Sequence, residues 1–154
     1  MPILDHLWII PLLPLLGSAI NGLLGGKWPN KIVNSVALGA TGLSFLCAVE
    51  AVREYLALVA ENQPFPAQHY FNWIVAGSFH AGFDLQIDQL TVVMLMVVTG
   101  VGFLIHLYAT SYMAEDDGFA RFFAYLNLFI FAMLVLILAD NLPLLFVGWE
   151  GVGL

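Results

Sequence analysis

Apolar residues in this chain come in long unbroken runs rather than in the alternating or one-face patterns of a water-soluble domain. Leu7 to Gly26 contains twenty residues without Asp, Glu, Lys or Arg, which is enough to cross the roughly 30 Å hydrocarbon core of a bilayer as a helix. Pro11 and Pro14 lie near its start, where a membrane helix tolerates them. A polar turn follows over Gly25 to Lys31, and then a second run, Ile32 to Val49, rich in Ser, Ala and Gly that favour close helix packing. This helix is expected to continue to about residue 58, past Glu50, Arg53 and Glu54, whose spacing puts them on one face as an ion cluster. Gln89 to Ala114 and Phe122 to Ala139 carry no charged side chain and predict helices over about 89–113 and 119–139. Asp140, Asn141 and Pro143 make a very short turn, with Asp140 placed to cap a fifth helix that begins at Leu142. Thirteen residues, 142–154, fall short of the roughly 20 a span needs. The chain therefore reads as four full spans and the start of a fifth, the front portion of something longer.

Between Glu61 and Asp88 the pattern becomes extended. Pro64 and Pro66 break the helix, His69 to Ala76 is rich in aromatic and β-branched residues, and Phe83 to Asp88 alternates apolar with polar. With Gly77, Ser78 and Gly82 between them, these predict a short β-hairpin over about 68–88, lying between the second and third helices. Two strands alone are marginal in water, so the hairpin is expected to lean on its neighbours.

Composition strengthens the membrane reading: 61% of residues are hydrophobic and 10% charged. Four Lys and Arg in the whole chain leave no basic stripe for a phosphate backbone, which excludes nucleic acid as a partner. The net charge of -7 is read as solvated acids at span ends. Lys27, Lys31 and Arg121 on alternate connections, against Arg53 on another, put the first turn in the cytoplasm and both the N-terminus and the hairpin outside. The first span is too long and too weakly headed for a signal peptide, and no transit-peptide composition precedes it. The expected location is a bacterial inner (plasma) membrane, with the chain passing through it several times.

Candidate chemistry is sparse. The single cysteine, Cys47, lies in an apolar run and offers no disulfide or thiolate site. His69 and His80 lack an acid or cysteine at metal-ligand spacing, so no metal site is expected. No nucleotide, flavin, haem or iron–sulfur motif appears. Glu150 stands out as the one acid in the last apolar run, between Trp149 and Gly151. A carboxylate at mid-membrane costs roughly 2.5 to 3.5 kcal/mol on translocon scales, and so usually faces a protein interior or a water path and carries function. Glu150 is the principal candidate for proton transfer. His106, the one histidine in the third run, is a weaker one and is read first as a hydrogen-bonded interfacial residue. Asn127 is a candidate interhelical hydrogen-bond partner.

The stretches FDLQIDQLTVVMLMVVTGVGFLIHLYATSYM (Phe83 to Met113), RFFAYLNLFIF (Arg121 to Phe131), LADNLPLLF (Leu138 to Phe146) and GWEGVGL (Gly148 to Leu154) closely resemble the L subunit, or chain 5, family of respiratory NADH:quinone oxidoreductase, complex I. The resemblance implies that residues 1–154 are the N-terminal part of an antiporter-like membrane domain, with an outer β-hairpin before the third helix. It implies proton translocation coupled to electron transfer from NADH to quinone. Glu150 falls at the family's GWEG acid, regarded as half of an acid–lysine pair that drives proton movement; the lysine belongs to a later helix. No cofactor is implied in this chain, since NADH, FMN, iron–sulfur clusters and quinone are held by other subunits. The implied partners are the other membrane-arm subunits, above all the neighbouring antiporter-like one, and the lipid bilayer.

Two other readings compete. The large subunit of a multisubunit Na+/H+ antiporter would have the same kind of acid without NADH or quinone. A truncated structural fragment would pack without transporting by itself.

Overall fold

The computed structural model describes residues 3–63 and 67–154. Among these residues are five α-helices, α1 (Ile9–Leu24), α2 (Asn30–Ala60), α3 (Gln89–Tyr112), α4 (Phe119–Leu138) and α5 (Leu142–Gly153), with strands β1 (Gln68–Ala76) and β2 (Phe79–Leu85) between α2 and α3. The first four helices, α1 taken together with the 3-10 turn that carries it on to Lys27, are long and apolar enough to cross a membrane. This is the helical architecture with an intervening hairpin expected from the hydrophobic runs. Pro64 and Pro66 lie outside the described residues.

Helix α4 is the centre of the bundle, packing on α1, α5, α3 and α2. Close approach depends on small residues. A Cβ at Gly17 on α1 would stand 2.6 Å from Ala40 Cβ of α2 and 2.6 Å from Asn127 Nδ2 of α4, so any larger residue would push three helices apart. Two ends of the bundle are distinct. At one, the α1–α2 and α3–α4 turns meet, with Asn30 Nδ2 donating to the Ala114 carbonyl at 3.2 Å. At the other lie the hairpin, the α4–α5 turn and a 3-10 turn over Ile3–His6.

Pro14 explains one buried contact between helices. It has no N–H to donate to the carbonyl four residues earlier, that of Ile10. Ser44 of α2 supplies the missing donor, its Oγ lying 2.8 Å from the Ile10 oxygen in a buried position. Ser44, read from sequence as a small packing residue, satisfies a backbone group exposed by a proline.

The hairpin end departs from expectation in two places. Helix α2 runs 31 residues, about 46 Å at 1.5 Å per residue, and so projects well beyond a bilayer core. Along it, Arg53 pairs with Glu50 at 3.0 Å on the surface, whereas Glu54 does not join them. Its two carboxylate oxygens accept the backbone N–H groups of Ile3 and Leu4, each at 3.0 Å. Glu54 shares a helix face with Glu50, but the two unpaired amides of the 3-10 turn bind it elsewhere.

The hairpin is tighter than its composition suggested. Gly77 adopts φ +62, a left-handed conformation that suits glycine, and Ala76 pairs directly with Phe79. The turn is therefore Gly77–Ser78, and β2 begins at Phe79 instead of Phe83. Gln86 to Asp88 leave the sheet: the Gln86 N–H donates to the Leu138 carbonyl at 2.8 Å, and Asp88 caps α3.

Candidate functional site

Helix α5 carries the principal candidate. Its start is capped by Asn141, whose Oδ1 accepts the Leu144 N–H at 3.0 Å, so the cap is Asn141 and not Asp140. The Asp140 side chain is exposed, while its backbone N–H donates to the Asp84 carbonyl at 3.1 Å. Asn141 also reaches the hairpin, Nδ2 donating to the Gly82 carbonyl at 2.9 Å. One residue thus starts α5 and ties it to β2. No local pattern distinguishes Asn141 from Asp140 as the cap; the distinction comes from the hairpin docked beside it.

Beyond the cap, α5 lies against α4 through Leu144 and Gly148, both buried. Gly148 makes the approach possible, because a Cβ there would lie 2.6 Å from the Leu136 backbone nitrogen. The opposite face carries Phe146, Trp149 and Glu150, all exposed. Among the described residues the Glu150 carboxyl stands on the face of α5 that no other element covers. The reason is geometric. The main neighbours of α5 are α4 and β2, and both lie on the Leu144–Gly148 side.

His106 is placed differently from its expected interfacial position. It is fully buried between α3 and α4, with its ring 6.1 Å from that of Phe123. Nδ1 lies 2.8 Å from the Gly102 carbonyl oxygen, and Nε2 lies 2.7 Å from Asn127 Oδ1. Asn127 is also fully buried, and the pair forms a buried side-chain link between the two helices. Glu150 and His106 are not brought together, since one stands on the open face of α5 and the other inside the bundle. His69 and His80 are likewise separate. His69 pairs with Asp84 at 2.5 Å, and His80 sits opposite Val75.

At the head of α3, Asp88 accepts the Thr91 N–H at 2.7 Å. That bond, partly opposed by burial, holds its carboxyl below the usual carboxylate range.

Four apolar helices of spanning length, with a hairpin between the second and third, define a polytopic membrane protein. Residues 73–123 match the family model for NADH-ubiquinone oxidoreductase (complex I), chain 5 N-terminus. The chain is 44% identical over 143 residues to NADH-quinone oxidoreductase subunit L of Escherichia coli (strain K12), a match covering 93% of this chain and 23% of that protein. The subunit L of Pseudomonas aeruginosa is 46% identical over 143 residues, with the same 93% and 23% coverage. NADH-ubiquinone oxidoreductase chain 5 of Dictyostelium discoideum is 38% identical over 145 residues, covering 93% of this chain and 21% of that protein. The chain belongs to the L-subunit, or chain 5, family of complex I and corresponds to its N-terminal portion. It spans about a quarter of the length of these relatives.

Proposed function

We propose that this chain supplies the first helices of a membrane-arm subunit of proton-translocating NADH:quinone oxidoreductase, with Glu150 as its proton-transfer carboxylate. The observation carrying this is the position of Glu150, a carboxyl among exposed Phe146, Trp149 and Leu142 on an apolar helix. Lipid is a poor neighbour for such a group. A protein surface bearing a cation is a good one, because desolvation raises and a nearby cation lowers a carboxyl's proton affinity, so moving the cation loads or releases the proton. Redox cofactors and quinone belong to other subunits in this reading. The partners are the other membrane-arm subunits, including the neighbouring antiporter-like one. The location is a bacterial inner membrane with the N-terminus and hairpin outside, which agrees with Lys27, Lys31 and Arg121 at the end opposite Arg53.

The test is Glu150→Gln in the assembled enzyme, reading protons moved per electron alongside NADH oxidation. Proton movement should fall by roughly 10²-fold, the low end for a positioned proton-transfer group, while the complex still assembles. An unchanged ratio and rate would sink the assignment.

A further inference from the structure

The buried pair between α3 and α4 has a hydrogen-bonding arrangement that depends on one proton. The two ring nitrogens of His106 face the Gly102 carbonyl oxygen at 2.8 Å and Asn127 Oδ1 at 2.7 Å. With the carboxamide in this orientation both partners are acceptors, and the ring form that satisfies both is the imidazolium. On its other side the Asn127 carboxamide is incomplete: among the described residues Nδ2 is buried without a partner, and it lies 2.6 Å from where a Gly17 Cβ would stand, hence against the Gly17 Cα–H.

A half-turn of the carboxamide reverses every role. Nδ2 would then donate to Nε2 of a neutral ring whose remaining proton stays on Nδ1 against Gly102. Oδ1 would face Gly17, where a Cα–H is a weak donor, and one of the two Nδ2 hydrogens would be taken up by the ring. Neutral ring and turned amide satisfy each other, as do imidazolium and the present amide, except for the stranded Nδ2. We propose that His106 and Asn127 form a proton-binding pair inside the bundle, in which rotation of the Asn127 carboxamide accompanies gain or loss of the Nε2 proton.

The surroundings leave the proton to this pair. Helix α1, which contributes Gly17, has no charged residue. On α2, Lys31, Glu50 and Arg53 are exposed, and Glu54 is bound to the Ile3–Leu4 amides at the hairpin end. Cys47 and Tyr55 of α2 pack in the hairpin-end cluster. On α3, Tyr108 and Tyr112 are exposed and stack on each other; on α4, Arg121 and Tyr125 are exposed, as is Glu150 on α5. Among the described residues, none of these bonds to His106 or Asn127. The proposal goes beyond the role given to Glu150, and an unaltered Glu150→Gln enzyme would leave it standing.

The experiment is solid-state NMR of the intact protein in lipid bilayers, with 15N-labelled histidine and asparagine. The His106 lines are assigned by difference from His106→Gln. As pH rises through the range in which a buried histidine gives up its proton, Nε2 should pass from a protonated to an unprotonated line while Nδ1 stays protonated. The Asn127 side-chain nitrogen should shift in the same step. Asn127→Asp, which presents acceptor oxygens only, should hold the ring doubly protonated through the range; that change also assigns the line if the His106→Gln protein does not fold. An Nε2 that keeps one state throughout, or that titrates with the Asn127 nitrogen unmoved, would overturn the proposal.

Discussion

At the scale of single residues, several side chains satisfy backbone groups that helix ends and prolines leave open. Asp88 is the clearest case outside the spans. Its oxygen takes up the Thr91 N–H at the head of α3, one of the donors with no partner inside the helix. Because that bond lowers the folded-state pKa below the unfolded value, the added stability is fully present above the ordinary aspartate range. It is lost as pH falls through the lowered value. Asp88→Ala should lower stability by about 1 kcal/mol, the usual worth of an N-cap, measured by thermal unfolding in detergent at neutral pH. Asp88→Asn should stay close to the parent there and lose this part of the acid sensitivity; a parent and Asn variant with identical acid profiles would remove the electrostatic share. Such roles differ in how legible they are. The acid before an uncharged run marks Asp88 as a cap, and Pro14 announces that the Ile10 carbonyl needs a donor. Nothing local identifies Ser44 as that donor, because the partner lies 34 positions away.

At the scale of elements, hydrophobic runs marked the helices because membrane spans depend on length and absence of charge, both local properties. The hairpin was legible as extended chain from its aromatic and β-branched residues, yet its turn was displaced, because Gly82 looks like turn chemistry and in fact lies within β2. What fixes the strand is long-range: Asn141 holds Gly82, the Asp140 N–H meets the Asp84 carbonyl, and the Gln86 N–H meets Leu138. The α4–α5 turn and the hairpin are therefore one joint, and α5 leaves it pressed against α4 at Gly148. Gly148→Ala should move α5 outward, since its Cβ would lie 2.6 Å from backbone at Leu136, which cannot yield as a flexible side chain can. Overpacking of this kind costs typically 1–3 kcal/mol. Gly26→Ala, where nothing lies within 4 Å, is the matched control. Equal melting temperatures for the two variants would show that α5 is not seated on α4 through Gly148.

At the scale of the whole molecule, two exposed apolar faces have different chemistry and so different surroundings. The α3 face, with Leu90, Val93, Val97, Val101 and Leu104 exposed, carries no charge and suits lipid tails. The α5 face displays Phe146 and Trp149 as well, yet sets Glu150 among them. Phe146 lies four residues before Glu150 and therefore on the same side of the helix. If the carboxyl is to avoid the roughly 2.5 to 3.5 kcal/mol cost of a lipid-facing acid at mid-membrane, protein must cover that side. This is why the chemistry of Glu150 was legible in sequence and its environment was not: the covering surface is not among the elements that pack on α5 here. Nitroxide labels at Val97 and Phe146, each on its own in the intact protein in bilayers, separate the two faces. The Val97 label should be mobile and readily relaxed by oxygen dissolved in lipid. The Phe146 label should be immobilised and shielded from it. Equal oxygen accessibility at the two positions would put Glu150 against lipid, and the pairing of that carboxyl with a cation on a neighbouring helix would have to be abandoned.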